Sequence, residues 1–97
     1  MKRSVALRPE ARADLSEIWS YTADRWDIGQ ADAYVSAIQT KIAAAAINPN
    51  LGSDCSDVYP GIRRIKSGSH LIYYLATDAL LDVVRILHQR RDPFSLL

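Results

Sequence analysis

The spacing of apolar residues predicts two helices in the first half of the chain. Pro9 suits the first turn of a helix, and the apolar face that follows it consists of Leu15, Ile18, Trp19, Thr22 and Trp26. Residues 27–29 form a turn, and a second helix runs over residues 30–47 until Asn48-Pro49 ends it. Because the connection is so short, we expect the two helices to form an antiparallel hairpin.

The second half of the chain has the pattern of strands separated by tight turns. A short apolar run at residues 5–7 predicts one strand before the hairpin. After a loop over residues 50–60, three more strands are predicted at residues 61–66, 69–76 and 80–88. The sequence therefore predicts one α+β domain over residues 1–97 in the order β-α-α-β-β-β, with an antiparallel sheet packed under the N-terminal helical hairpin and a short C-terminal helical turn.

The last two predicted strands are apolar on both faces. In the first of them one face holds Leu71, Tyr73 and Leu75. In the second, simple alternation gives one face to Leu81, Val83, Arg85 and Leu87. One helical hairpin covers one side of a sheet, so we expect apolar surface on the other side to remain for a partner.

Composition and length fit a small globular protein. The chain has 97 residues, 48% of them hydrophobic and 24% charged, and chains this short rarely hold two cores. No apolar run approaches the roughly 20 residues that span a bilayer, and the N-terminus lacks the apolar stretch of a secretory signal. The one cysteine, Cys55, is interpreted as a free surface thiol, and we expect a soluble cytoplasmic protein.

Charge is unevenly distributed along the chain, although the net charge is only +1. Residues 1–60 carry six basic and eight acidic side chains, whereas residues 61–97 carry six basic and three acidic ones. A positive second half is suited to a phosphate backbone or an acidic partner, and an ordinary solvated surface explains it equally well.

Residues that carry metal or acid–base chemistry are few. His70 and His88 lie in predicted strands without a third ligand at a suitable spacing, so we interpret both as structural and expect neither a metal nor a cofactor. The carboxylates Glu10, Asp14 and Glu17 are explained by the start of the first helix, where the helix dipole favours negative charge.

Basic residues cluster on one predicted strand and at the end of the last one. Arg63, Arg64 and Lys66 come from one strand, and residues 88–92 (HQRRD) end the last one. Such arginines either keep a sheet edge soluble or converge to bind phosphate or carboxylate, and the residues alone leave both interpretations open.

Five segments of the chain resemble the ParE branch of the RelE/ParE superfamily of bacterial toxins. They are RPEA, DL and IW-x-YT within residues 8–22, NPNLG at 48–52, YPGIRR at 59–64, LIYY at 71–74 and VRILH-x-RRDP at 84–93. Each segment is weak alone, but together they span nearly the whole chain in the family's order. The resemblance implies the toxin of a type II toxin–antitoxin pair.

The superfamily contains two activities on one fold, so the fold does not settle the function. RelE-like members are ribosome-dependent mRNA endonucleases, and ParE-like members poison DNA gyrase. Arg64 and Arg90 match basic positions of the nuclease site, but Leu71 stands where the nucleases have an arginine and Leu96 at the place of their terminal tyrosine. Losing a charge stabiliser and an acid–base group costs orders of magnitude in rate. The resemblance therefore implies a gyrase inhibitor rather than an enzyme.

The resemblance also implies a cognate ParD-like antitoxin, in a heterotetramer or a larger complex that contacts operator DNA only through the antitoxin. We expect the antitoxin's C-terminal segment in an apolar groove lined by Leu15, Trp19, Tyr21, Trp26, Tyr73 and Leu75. Contact with gyrase is expected from a basic strand end and an exposed apolar tail, namely Arg64, Arg90, Arg91, Phe94, Leu96 and Leu97.

Two alternatives remain open from the sequence. One is a ribonuclease that uses Arg64, Arg85 and Arg90. The other is a non-toxic module that binds the antitoxin and only helps to repress the operon. Mapping of mRNA cuts distinguishes the first, and growth in the absence of the antitoxin distinguishes the second.

Overall fold

The two long helices lie close to the predicted ones in a computed structural model, which describes residues 2–97. Helix α1 spans Pro9–Arg25 and helix α2 spans Ile28–Ile47. Helix α2 begins two residues earlier than predicted because the Asp27 side chain accepts a hydrogen bond from the backbone N–H of Gln30 at 2.7 Å and caps the helix. No helix within residues 2–97 is long and apolar enough to cross a membrane.

Five strands make up the sheet, and a short helix follows the last strand. The strands are β1 (Ser4–Leu7), β2 (Ser53–Asp54), β3 (Arg63–Ser67), β4 (His70–Ala76) and β5 (Leu80–His88), and helix α3 spans Pro93–Leu96. The predicted α+β order and the C-terminal helical turn are confirmed. Strand β2 was not predicted, because it has only two residues and follows a 3₁₀ turn at Pro49–Leu51 within the expected loop.

The strands lie in the order β1-β5-β4-β3-β2. Strands β3, β4 and β5 form the predicted antiparallel meander. Strand β1 pairs parallel with β5, from Ser4 opposite Leu80 to Leu7 opposite Val83, so the prediction of a purely antiparallel sheet is wrong. The helical hairpin carries the chain across one face of the sheet before the meander starts, and the first strand therefore lies beside the last one and runs in the same direction.

A β-bulge in β5 decides which of its residues face the helices. Tyr73 pairs with Arg85 and Tyr74 pairs with Val83, so Val84 is an extra residue in β5. The core under the hairpin contains Leu81, Val83 and Ile86, whereas the cluster on the opposite face contains Val84 and Leu87. The simple alternation predicted for this strand holds as far as Val84 and is wrong after it.

Hydrophobic clusters lie on both faces of the sheet. The main core, between the hairpin and the sheet, includes Ala11, Ile18, Ile38, Ile42, Ile72, Tyr74 and Leu81. On the opposite face, the second cluster consists of Cys55, Ile62, Tyr73, Val84 and Leu87, with Leu96 and Leu97 packed against it. The chain's own loop and tail thus cover part of the face that was expected to stay open, and Cys55 is buried instead of exposed.

The buried hydroxyl of Tyr74 fastens the loop that follows α2. It accepts a hydrogen bond from the backbone N–H of Gly52 at 2.9 Å and donates one to the carbonyl of Pro49. The Arg63 Nε donates to the carbonyl of Gly52 at 3.0 Å. A Cβ atom at position 52 would lie 2.2 Å from the Tyr74 hydroxyl oxygen, so the approach of this loop to the sheet requires glycine.

Replacing Tyr74 with phenylalanine is expected to lower the free energy of unfolding by about 1–2 kcal/mol, because the buried Gly52 N–H loses its better acceptor. Urea denaturation of the two proteins measures the difference. The matched control is Tyr59→Phe, which removes a hydroxyl from a side chain that is 44% exposed and should change stability by less than about 0.5 kcal/mol. Equal losses in the two variants would contradict the role assigned to Tyr74.

Candidate functional site

A cleft of about 570 Å³ opens between the helical hairpin and the ends of β4 and β5. We call it the hairpin cleft; it is lined in part by Ile18, Tyr21, Arg25, Trp26, Tyr34, His70, His88 and Arg91. Tyr21 and Trp26 are 65% and 69% exposed, which is unusual for such large side chains. An aromatic wall beside a concave surface is a typical anchor point for a partner.

The sheet side of the hairpin cleft carries a cross-strand pair of histidines. His70 opens β4 and His88 ends β5, and their ring centroids lie 5.4 Å apart in an edge-to-face arrangement. The hydroxyl of Tyr34 lies 2.7 Å from His70 Nδ1. Burial lowers the pKa of His70, and the neighbouring His88 lowers it further. No group of three or more His, Cys, Asp or Glu side chains within residues 2–97 is placed to hold a metal ion.

The turn between β3 and β4 is shaped to receive Tyr34. Gly68 has a φ of 59°, and a Cβ atom there would lie 2.6 Å from the Tyr34 hydroxyl oxygen. The backbone N–H of Ser69 donates to the same oxygen at 2.9 Å. Glycine at this turn therefore lets α2 approach the sheet closely enough to hold His70 in place.

A buried ion pair joins α1 to β5 beside the hairpin cleft. The carboxylate of Asp14 accepts hydrogen bonds from Nε and Nη2 of Arg85, each at 2.8 Å, and another from the backbone N–H of Ile86 at 2.9 Å. The side chains of Asp14 and Arg85 are only 10% and 19% exposed, and the bond to Asp14 raises the pKa of Arg85. The helix dipole was therefore the wrong explanation for Asp14. A better signal was its position four residues before Ile18 and eight before Thr22, on the buried face of α1.

The residues predicted to form the antitoxin groove do not form one surface. Tyr21 and Trp26 line the hairpin cleft. Leu15 is half-buried against the main core, and Trp19 is half-buried with its Nε1 donating to Asp32 at 2.9 Å. Tyr73 and Leu75 lie on the other face of the sheet, in the second cluster. Tyr73 is 1% exposed and Leu75 is half-buried. Binding by all six remains a prediction, and the structure brings only the first two together in an accessible cleft.

The residues predicted to contact the target are divided in a similar way. Arg64 is exposed on β3, where the phenol of Tyr73 raises the pKa of its guanidinium. Arg90 and Arg91 are exposed just after β5, and Arg91 also lines the hairpin cleft. Phe94 is 64% exposed. The expected exposure of the last two tail residues is wrong, because the second cluster half-buries Leu96 and Leu97.

A family model described as "ParE toxin of type II toxin-antitoxin system, parDE" matches residues 5–93 of this chain. Toxin ParE1 of Mycobacterium tuberculosis is 44% identical over 93 residues, which are 95% of this chain and 95% of that protein. Toxin ParE1 of Caulobacter vibrioides is 36% identical, with 86% of this chain and 85% of that protein covered. Toxin ParE of Escherichia coli is 34% identical, with 94% and 89% covered.

Two solved structures have the same fold. The chromosomal ParDE toxin–antitoxin system of P. aeruginosa contains a chain that matches with a TM-score of 0.76 at 18% identity, covering 90% of this chain and 96% of that one. A chain of the toxin–antitoxin complex RelBE2 from Mycobacterium tuberculosis matches with a TM-score of 0.66 at 16% identity, covering 91% and 99%. At these identities the likeness establishes the fold alone.

Replacing Asp14 with asparagine should lower the free energy of unfolding by about 3–5 kcal/mol, because it leaves the buried Arg85 charge without a counter-ion. Denaturation curves of the variant and the parent protein give the difference. Asp24→Asn on the exposed side of the same helix is the control, with an expected change below about 0.5 kcal/mol. A loss as small as that of the control would mean that the ion pair does not hold α1 on the sheet.

The lowered pKa of His70 should make the fold less stable in mild acid. Unfolded His70, with its usual pKa of 6.5, takes up a proton before the folded form does, so falling pH favours the unfolded state in this range. The free energy of unfolding should therefore decrease from about pH 7.5 to pH 5. In His70→Phe the decrease should be smaller, and an unchanged pH dependence in that variant would contradict the assignment.

Proposed function

The chain belongs to the family of ParE toxins of type II toxin–antitoxin systems, and on that basis we propose that it arrests bacterial growth by poisoning DNA gyrase. We further propose that a ParD-like antitoxin binds and neutralises it. Together the two proteins would repress their own operon, with the antitoxin supplying the contacts to operator DNA. Gyrase and such an antitoxin both act in the bacterial cytoplasm, which is where we place the chain.

The state of Arg85 is the observation that most favours gyrase poisoning over RNA cleavage. A ribonuclease built on Arg64, Arg85 and Arg90 needs all three guanidinium groups free to reach one phosphate. Arg85 is instead held by the Asp14 carboxylate in a bidentate pair and donates to the carbonyl of Leu96 at 3.4 Å. Its charge is thus already compensated within the fold, which supports a function that needs no catalytic arginine here.

The surroundings of the two leucines that replace nuclease residues also favour gyrase poisoning over RNA cleavage. Leu71 is half-buried against the second cluster, where an arginine would have to place its charge on apolar neighbours. Leu96 packs against that cluster as well. The sequence has no tyrosine after Tyr74 and no histidine after His88, so the segment after the last strand offers neither of these acid–base side chains.

The hairpin cleft is the surface that we assign to the antitoxin. Its aromatic wall of Tyr21 and Trp26 is exposed beside a concave surface, which suits the apolar side of an amphipathic helix. Two solved structures of the same fold are those of a ParDE toxin–antitoxin system and of the toxin–antitoxin complex RelBE2. We propose a heterotetramer or a larger complex, in which one antitoxin segment occupies each cleft.

The basic strand ends and the tail are the surface that we assign to gyrase. Arg64, Arg90 and Phe94 are exposed, and the side chain of Asp92 accepts a hydrogen bond from the Phe94 N–H at 3.0 Å at the start of α3. We propose that the half-buried Leu96 and Leu97 hold this segment against the sheet so that Phe94 stands outward. Deleting residues 93–97 would therefore disturb packing as well as toxicity, and single substitutions are the cleaner test.

Phe94→Ser is expected to raise the concentration that inhibits gyrase supercoiling by about tenfold, since an exposed aromatic anchor is typically worth one to a few kcal/mol in an interface. Supercoiling and DNA-cleavage assays with purified gyrase measure the effect, and growth after induction without the antitoxin checks it in cells. Leu51→Ser is the control, because it removes a 52% exposed apolar side chain from the turn after α2.

If the Phe94→Ser protein inhibits gyrase as strongly as the parent protein does, the tail is not part of the target surface. Codon-linked mRNA cuts in induced cells, with gyrase unaffected, would overturn gyrase poisoning and favour the ribonuclease. Normal growth after induction of the parent chain would favour the non-toxic module.

A further inference from the structure

The two histidines of the hairpin cleft have both of their Nδ1 atoms occupied. The backbone N–H of Arg90 donates to Nδ1 of His88 at 3.2 Å. The Tyr34 hydroxyl accepts from the Ser69 N–H, and we assign its own proton to His70 Nδ1 at 2.7 Å, because the alternative acceptor, the Ser67 carbonyl, is 3.4 Å away. Each neutral ring therefore carries its proton on Nε2. What the pair can offer a molecule in the cleft is hydrogen-bond donors.

The charged groups around the histidines leave an excess of positive charge. Arg25 and Arg91 line the hairpin cleft, and neither side chain makes an ion pair or a hydrogen bond with another residue in the described part of the chain. Of the two lining carboxylates, Asp14 is neutralised by Arg85, which leaves Glu17. The site thus combines N–H donors with two uncompensated guanidinium groups and one carboxylate.

From this arrangement we propose that the hairpin cleft recognises a carboxylate side chain, an Asp or Glu carried by an amphipathic peptide segment. The carboxylate would lie at His70, His88 and Arg91, and the apolar neighbours of that residue would lie on Tyr21 and Trp26. The inference rests on the proposed function, because it gives the chemistry of the antitoxin segment that occupies the cleft.

A peptide fits the hairpin cleft better than a nucleic acid does. The aromatic and aliphatic walls, Tyr21, Trp26 and Ile18, match apolar side chains next to one acidic group. A polyphosphate chain would bring several negative charges close to Glu17. A single carboxylate can instead bind the donors at the histidine pair while apolar groups cover the rest of the cleft.

Binding of a carboxylate should strengthen as the pH falls. A bound carboxylate favours the charged imidazolium and turns a neutral hydrogen bond into a charge-assisted one. The other groups that face His70 are Tyr34 on α2, His88 on β5, Asp14 and Glu17 on α1, and the guanidinium groups of Arg25 and Arg91.

The experiment is a selection of short phage-displayed random peptides on the folded full-length chain at about pH 6. Enriched peptides are expected to carry Asp or Glu beside leucine or an aromatic residue. Synthetic copies with Asn or Gln in place of the acidic residue should bind about tenfold more weakly. The acidic peptides should also lose affinity as the pH rises from about 5 to 8, whereas the amide copies should not.

Substitutions in the hairpin cleft test where the carboxylate of the peptide binds. His70→Phe and His88→Phe keep a ring in the cross-strand pair, and each should reduce the preference for the acidic over the amide peptide. Arg91→Ala should reduce it as well, whereas Arg12→Ala, the loss of an exposed arginine outside the hairpin cleft, should not. If a histidine variant fails to fold, the comparison of the two arginine variants decides.

Several results would overturn the inference. These are a selection that enriches no acidic peptide, equal affinity for acidic and amide copies, unchanged preference in Arg91→Ala, or displacement of the peptide by a single-stranded RNA oligomer. If the chain poisons gyrase and one of these results is found, the carboxylate site fails while the proposed function stands. If the acidic preference is found but the induced chain leaves gyrase and growth unaffected, the proposed function fails instead.

Discussion

The buried ion pair between Asp14 and Arg85 links helix α1, strand β5 and the C-terminal tail at one point. Asp14 reaches from α1 to the guanidinium and to the backbone N–H of Ile86, just after the bulge in β5. Arg85 in turn donates to the carbonyl of Leu96 in the tail. One carboxylate thus contacts both the backbone just after the bulge and the guanidinium group that reaches the C-terminal segment. A buried pair of this kind specifies geometry more than it adds net stability, because removing both charges from water is costly.

The two faces of the sheet therefore differ in what covers them. The bulge at Val84 sends Ile86 under the hairpin and Leu87 to the second cluster, so each face keeps its own hydrophobic cluster. The hairpin face ends in an open cleft with exposed aromatic side chains, which suits a partner. The opposite face is covered by a loop and by the tail, whose Leu96 and Leu97 pack against the second cluster, and Arg64 lies exposed on that face across from Tyr73. If the antitoxin and gyrase bind different faces, the antitoxin can bind the toxin without making the same contacts as gyrase.

The sequence predicted the helices, the meander and the C-terminal turn because these depend on local spacing and on turn residues. It failed where the outcome depends on contacts between distant segments. The parallel pairing of β1 with β5 joins the two ends of the chain, and the bulge at Val84 leaves no local mark in an apolar strand. Asp14 looked like a helix-start charge because its partner is 71 residues away. The histidine pair was missed for the same reason, because the register next to the turn would place His70 opposite Leu87, and only the bulge brings His88 there.

Separate surfaces for inhibitor and target are the centre of this account, and hydrogen–deuterium exchange on the complex with the antitoxin encoded beside this chain tests them most directly. Exchange should slow around the hairpin cleft, at residues 14–34, 68–70 and 86–91, with residues 55–62 and 93–97, which cover the other face, unchanged relative to the free chain. Protection confined to the second cluster, with unchanged exchange at the hairpin cleft, would contradict the account.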